Sequence, residues 1–234
     1  MRKAVILAAG EGTRLRPMTL DRPKVMLDVQ GKPLLERHID WLKSFGIEQF
    51  YINLHYLPRA VVDHFGDGSS RGVEIVYSLE DSLQGTAGSL RGFREELDET
   101  FLVHYGDVYS ELDARRMLAF HRDHGSRGTL AVHPTTHPHD SDIVELGPDA
   151  RVAAVHHKPG TDRHGALGNA ACYILEPRVL DFLPPGPGPA DFIVDVFPPM
   201  LAAGEPLHGY DTDEFLMDMG TPDRYEALLG RFET

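Results

Sequence analysis

At 234 residues and 41% hydrophobic composition, the chain is long enough for one α/β domain and contains no apolar run of membrane-spanning length. A formal net charge of −13 argues against nucleic acid as a partner, because holding a polyanion requires a basic patch. The single cysteine, Cys172, excludes an internal disulfide and a multi-cysteine zinc site; lying in an apolar run, it reads as a core residue.

The chain opens on Met1-Arg2-Lys3 and an apolar stretch, but that stretch breaks into Gly10-Glu11-Gly12 rather than a small-residue cleavage site. It therefore reads as a first strand over 3–9 and not as a signal peptide, and the protein is expected to be cytoplasmic, with no membrane partner. Leu7, Ala8, Ala9, Gly10, Glu11, Gly12 and Thr13 form a strand end and a two-glycine loop, followed by Arg14, Arg16, Arg22 and Lys24. Glycines let backbone N–H groups approach an anion closely, and Arg14 and Lys24 can neutralise the charge that those dipoles only partly offset. The pattern reads as a phosphate cradle. It is not the dinucleotide fingerprint, since position 15 is leucine and Pro17 and Pro23 oppose an immediate helix. Nor is it a Walker loop, since no Gly-Lys-Ser/Thr follows Gly12.

Further along, strand-like runs at 3–9, 49–55, 73–78, 100–104 and 128–133 alternate with helical patterns at 33–45, 58–65, 87–97 and 112–123. That alternation predicts a mostly parallel sheet covered by helices. The second half is richer in strands, at 142–146, 152–157 and 170–175, with helices at 193–203 and 222–232. Pro184-Pro185-Gly186-Pro187-Gly188-Pro189 reads as a stiff surface loop. In open α/β sheets ligands sit beyond the carboxyl ends of the strands, where the first glycine loop and Gly106-Asp107 are both expected.

The run Gly10-x-Gly12-Thr13-Arg14-Leu15-x-Pro17-x-Thr19, then Pro23-Lys24 and Gly31-Lys32-Pro33-Leu34, resembles the sugar-1-phosphate nucleotidyltransferase family. Leu83-Gln84-Gly85-Thr86-Ala87-Gly88, Tyr105-Gly106-Asp107, His157-Lys158-Pro159, Asn169-Ala170-Ala171 and Met217-Asp218-Met219-Gly220-Thr221-Pro222 follow in family order. The resemblance runs nearly end to end. It implies a three-layer, Rossmann-like mixed α/β fold of the nucleotide-diphospho-sugar transferase type. One domain over 1–234 is expected, with a nucleotide-binding half to about 110 and a sugar-phosphate half beyond.

The implied reaction joins a nucleoside triphosphate to a sugar 1-phosphate with release of pyrophosphate. A sugar phosphate is already an anionic nucleophile, so the site needs alignment and charge neutralisation rather than a general base. By resemblance, Arg14 and Lys24 hold the triphosphate and the leaving pyrophosphate, and Lys158 grips the sugar phosphate. Asp107 closes a β-run and Asp218 a second apolar run; they match the family's two metal positions and suit Mg²⁺, which takes hard oxygen ligands.

Glu80, five residues before Gly85, is an acceptor-only group, which suits the adjacent donors of guanine and favours GTP. Gly85 and Thr86 open the helix beside which a base or ribose would lie. On the sugar side, Asp142, His157 and Asn169 are the expected hydroxyl partners. The chain departs there from glucose-specific relatives, reading Ser141-Asp142 and His156-His157-Lys158, and looks most like guanylyltransferases acting on mannose or D-glycero-D-manno-heptose 1-phosphate. Two other readings stay open. One is a uridylyl-, thymidylyl- or cytidylyltransferase for another hexose phosphate, and the other a silent regulatory subunit that binds nucleotide sugars. A homodimer is compatible with all three. The spacing of His137, His139, His156, His157 and His164 matches no standard zinc set, so no zinc site is expected.

Overall fold

The computed structural model describes residues 1–161 and 163–232. In the first part of the chain, β1 (Lys3–Leu7), β2 (Asp28–Val29), β3 (Lys32–Pro33), α1 (Leu34–Ser44), β4 (Gln49–Leu54), α2 (Pro58–Phe65) and β5 (Glu74–Leu79) follow one another. Next come α3 (Gly85–Gly88), β6 (Phe101–Tyr105), β7 (Val108–Ser110), α4 (Ala114–Asp123) and β8 (Gly128–Pro134). Then follow β9 (Ile143–Leu146), β10 (Val152–His156), β11 (Leu167–Leu175), α5 (Phe197–Ala202), β12 (Leu207–Asp211), β13 (Leu216–Asp218) and α6 (Pro222–Gly230). No helix among the described residues is long and apolar enough to cross a membrane.

The chain forms two compact units that interleave in sequence. The first comprises 1–83, 104–112 and 215–234; the second comprises 84–103 and 113–214. In the first, β1, β4 and β5 run parallel, with Lys3 opposite Gln49 and Gln49 opposite Glu74. β1 is apolar without alternation, and Ala4, Val5 and Ile6 are fully buried, as a strand covered on both faces requires. Helix α1 turns Leu34, Leu35, His38, Ile39 and Leu42 inward, the stripe expected of a helix lying on a sheet. A further core of Leu15, Leu27, Val29, Leu34, Met219 and Leu228 fastens the glycine loop and the chain after β13 to one apolar centre. Burying a side chain such as Met219 there stabilises by about 1.5–3 kcal/mol.

The second unit pairs β8 with β11 and β9 with β10 antiparallel, and β8 with β12 parallel. Tyr173, Phe192 and Phe197 are buried together in it, Phe192 and Phe197 stacked and Tyr173 edge to face with both, with ring centroids 5.1–5.4 Å apart. The mixed α/β fold is as expected, and the strands and helices read from the sequence fall close to the observed boundaries, while β2, β3, β7, β12 and β13 were not read from it. One helix is an exception. In place of a helix over 87–97, α3 is a single turn followed by a 3-10 segment, Ser89–Phe93. Gly85, Gly88 and Gly92 withhold the propensity a longer helix needs, and Gly85 itself stands at φ +74°.

Candidate functional site

In the first unit β1 delivers the chain to the glycine loop. The Leu7 carbonyl accepts from Gly106 N–H at 2.9 Å, and a methyl group on Gly106 would fall 2.7 Å from that oxygen, so only glycine lets the segment before Asp107 lie against the end of β1. Ala8 N–H donates to Asn53 Oδ1 at 2.9 Å, and Ala9 is buried. Gly12 adopts φ +63°, and its carbonyl accepts from the Thr19 hydroxyl at 2.8 Å. The amides of Gly10, Glu11 and Gly12 have no hydrogen-bond partner among the described residues. Thr13 begins a 3-10 turn that ends on fully buried Leu15, which anchors the loop.

Arg14 makes no ion pair among the described residues, and its exposed guanidinium ends beside Gly220, where a methyl group would fall 2.9 Å from Arg14 Nη2 and from both carboxylate oxygens of Asp218. Lys24 is 9% exposed at its side chain and directs Nζ between two carboxylates, 2.7 Å from Asp107 Oδ2 and 3.6 Å from Asp218 Oδ1. Arg224 donates to Asp218 Oδ2 at 2.5 Å, while Asp218 Oδ1 is buried without a hydrogen-bond partner among the described residues. Two aspartates far apart in sequence thus converge on one point, and one of their buried oxygens is unsatisfied. Such an all-oxygen pair fits a hard divalent cation.

Asp107 is held from behind. His38 Nε2 lies 3.1 Å from the Gly106 carbonyl and His104 Nε2 lies 2.8 Å from the Val108 carbonyl, so the two imidazoles grip the backbone on either side of it. Burial pushes His104 down to about 4 and His38 well below the ordinary histidine value, so both are neutral. Glu80 is also organised by a residue that sequence reasoning missed: Asn53, 3% exposed, accepts from Ala8 N–H and donates to Glu80 Oε1 at 2.8 Å. An asparagine inside the apolar run Phe50–Leu54 was the available signal, as a buried amide must find partners.

The second unit gathers the remaining residues. His157 Nδ1 stands 2.8 Å from Asp142 Oδ1, and the Lys158 amide hydrogen-bonds the same carboxylate. Burial raises the Asp142 carboxyl above the ordinary aspartate value; the His157 ring opposes the rise and the Asp191 charge adds to it. Lys158 sits at φ +36° with an exposed side chain that makes no ion pair among the described residues. Asn169 N–H donates to the Asp142 carbonyl at 2.8 Å, and its side-chain amide donates to the Tyr173 hydroxyl at 2.7 Å. Gly85 and Thr86 are tied to the segment at 190–192. The Ala190 carbonyl accepts from Ala87 and Gly88 N–H, and the Thr86 hydroxyl donates to Asp191 Oδ2 at 2.7 Å. Asp191, which the sequence reading gave no role of its own, lies near enough to Asp142 for its charge to raise that carboxyl.

A family profile described as Nucleotidyl transferase matches residues 3–231. The mannose-1-phosphate guanylyltransferase of Mycobacterium tuberculosis is 36% identical over 227 residues, 95% of this chain and 62% of that protein. A UTP–glucose-1-phosphate uridylyltransferase from Synechocystis is 32% identical over 246 residues, 97% of this chain and 63% of its own length. The chain therefore spans under two thirds of the curated relatives it matches. Among solved structures, HddC from Yersinia pseudotuberculosis superposes with a TM-score of 0.82 at 25% identity, covering 99% of this chain and all of that one. With its glycine loop, its paired aspartates and a profile match across nearly its whole length, the chain belongs to the nucleotidyl transferase family.

Proposed function

We propose that residues 1–234 work as one nucleotidyltransferase domain that moves a nucleoside monophosphate from a triphosphate, GTP by preference, to a manno-configured sugar 1-phosphate. The observation that carries this reading is the convergence of Asp107 and Asp218 on Lys24, with Arg14 packed at Gly220. In this reading the free amides of Gly10, Glu11 and Gly12, with Arg14 and Lys24, receive the triphosphate and the departing pyrophosphate. Asp107 and Asp218 hold Mg²⁺, which when bound neutralises phosphate oxygens. Lys158, unpaired and exposed, grips the sugar phosphate, whose oxygen attacks the α-phosphorus as the bond to pyrophosphate breaks.

The carboxylate of Glu80, oriented by Asn53, favours guanine, and Asp142, His157 and Asn169 provide sugar hydroxyl partners. Support for the base comes from relatives named as guanylyltransferases. The uridylyltransferase among the relatives makes UTP the second reading. Pyrophosphate release should be measured with Mg²⁺ for four nucleoside triphosphates against mannose, heptose, glucose and N-acetylglucosamine 1-phosphates. GTP-selective turnover with a manno sugar is the expected result. Selective turnover with another triphosphate overturns the base assignment, and ligand binding without turnover across the set overturns the transferase reading.

A further inference from the structure

The five histidines whose spacing matches no zinc pattern do not remain scattered in the fold. His157 goes to Asp142, and His137 and His139 meet edge to face with centroids 6.4 Å apart. His156 and His164 instead converge on Glu145, and the three form the one group of potential metal ligands of this kind among the described residues. Register explains the first contact. Glu145 on β9 lies opposite Ala154 on β10, and His156 is two residues beyond Ala154, so Glu145 and His156 are diagonal neighbours on one face of the hairpin. His164 arrives from the turn that follows β10 and stacks its ring on His156, with centroids 3.9 Å apart and planes 26° from parallel.

The stacking turns one nitrogen of each ring to the same carboxylate oxygen. Glu145 Oε1 stands 3.1 Å from His156 Nε2 and 3.1 Å from His164 Nδ1, and the three ligand atoms all lie within 4.8 Å of one another. A tetrahedral ion with bonds of about 2.0–2.1 Å separates its ligand atoms by roughly 3.3 Å, so these spacings match such a set. A second observation is independent of spacing. His156 Nε2 is buried, and although Glu145 is near, the alignment gives it no hydrogen bond. A buried nitrogen with no hydrogen bond, 3.1 Å from a carboxylate oxygen that a second imidazole also faces, is left unsatisfied by the protein's own groups.

We propose that Glu145, His156 and His164 bind a divalent transition ion of the zinc class, with a fourth position left to water. Two imidazoles and one carboxylate select Zn²⁺, Co²⁺ or Ni²⁺ over Mg²⁺, which prefers oxygen, so this site differs in chemistry from the Asp107–Asp218 pair. The ion would tie His164, six residues past Lys158, to the β9–β10 hairpin, closing the turn that carries the exposed lysine. The inference does not depend on the transferase reading, because its test measures metal binding rather than turnover.

The full chain, stripped with a chelator and returned to excess Mg²⁺, should be titrated with Co²⁺ while d–d absorption is followed. Zn²⁺ should then be added as competitor. One Co²⁺ per chain with visible absorption, displaced by Zn²⁺, is expected. His164→Ala and Glu145→Gln should each weaken binding by roughly tenfold or more while the far-UV spectrum is unchanged, whereas His137→Ala and Asp218→Asn should leave it intact. Absence of Co²⁺ and Zn²⁺ binding, leaving an ion pair only, overturns the proposal. So does binding that His164→Ala and Glu145→Gln do not weaken, or that Asp218→Asn abolishes.

Discussion

Lys24 Nζ stands 2.7 Å from Asp107 Oδ2, a buried ammonium on the carboxylate assigned to metal. With Asp218 Oδ1 3.6 Å away, the lysine side chain supplies positive charge where two carboxylates would otherwise repel. Replacing Lys24 by Gln removes that cation. Mn²⁺, as a spectroscopic substitute for Mg²⁺, should then bind roughly tenfold more tightly while kcat falls by about 100-fold. Unchanged Mn²⁺ affinity in the variant would show that Lys24 and the metal do not share these carboxylates.

Gly220 offers a separate probe of the same place. The atoms nearest to a methyl group there are the ends of two side chains, Arg14 and Asp218, rather than backbone. Gly220→Ala should therefore fold with a melting temperature near that of the parent while kcat drops by roughly tenfold or more, because both displaced groups are those proposed for the phosphate and the metal. A large loss of stability, or full activity, would count against the placement of Arg14.

Asp142 allows the proposed sugar recognition to be tested apart from nucleotide binding. Asp142→Asn keeps the size and one acceptor but removes the charge that faces His157. The KM for the sugar phosphate should rise by about tenfold and the KM for the triphosphate should stay within twofold. Equal changes in both constants would remove Asp142 from sugar recognition.

The buried histidines predict how stability changes with pH. His104 titrates near 4 when folded, against the 6.5 of a histidine in an unfolded chain. Between those values the unfolded state binds more protons, so stability rises with pH. It is fully present above about 6.5 and is lost as pH falls towards 4, by about 3 kcal/mol from His104 alone. His38, lowered by burial and by the adjacent His104, acts in the same direction. Urea midpoints across this range should fall steeply for the parent and less steeply for His104→Gln, which keeps an amide donor for the Val108 carbonyl. Parallel profiles would contradict the assignment.

Chemistry written in short contiguous runs was legible in the sequence. The strand into Gly10-Glu11-Gly12, the cations after it, Gly106-Asp107 and Met217-Asp218-Met219 each stand in one short run; the glycine loop suggests an anion by itself, whereas the metal role proposed for the two aspartates came from the family resemblance. The alternation of strands and helices was legible because it depends on neighbours in the chain. Gly88 and Gly92, inside the run read as a helix at 87–97, lower its helix propensity, and the structure has there one turn and a 3-10 segment.

Tertiary structure decided the rest, because it depends on residues far apart in the chain. That 215–234 returns to the first unit brings Asp218 to Lys24 and Asp107, a meeting that no local pattern encodes. Asn53 gained its role only when β4 placed it beside Ala8 and Glu80. Strand register and one turn brought Glu145, His156 and His164 to a common point despite spacing that spoke against a metal. Composition and local pattern selected the elements and the kind of chemistry; packing of remote segments chose which side chains act together.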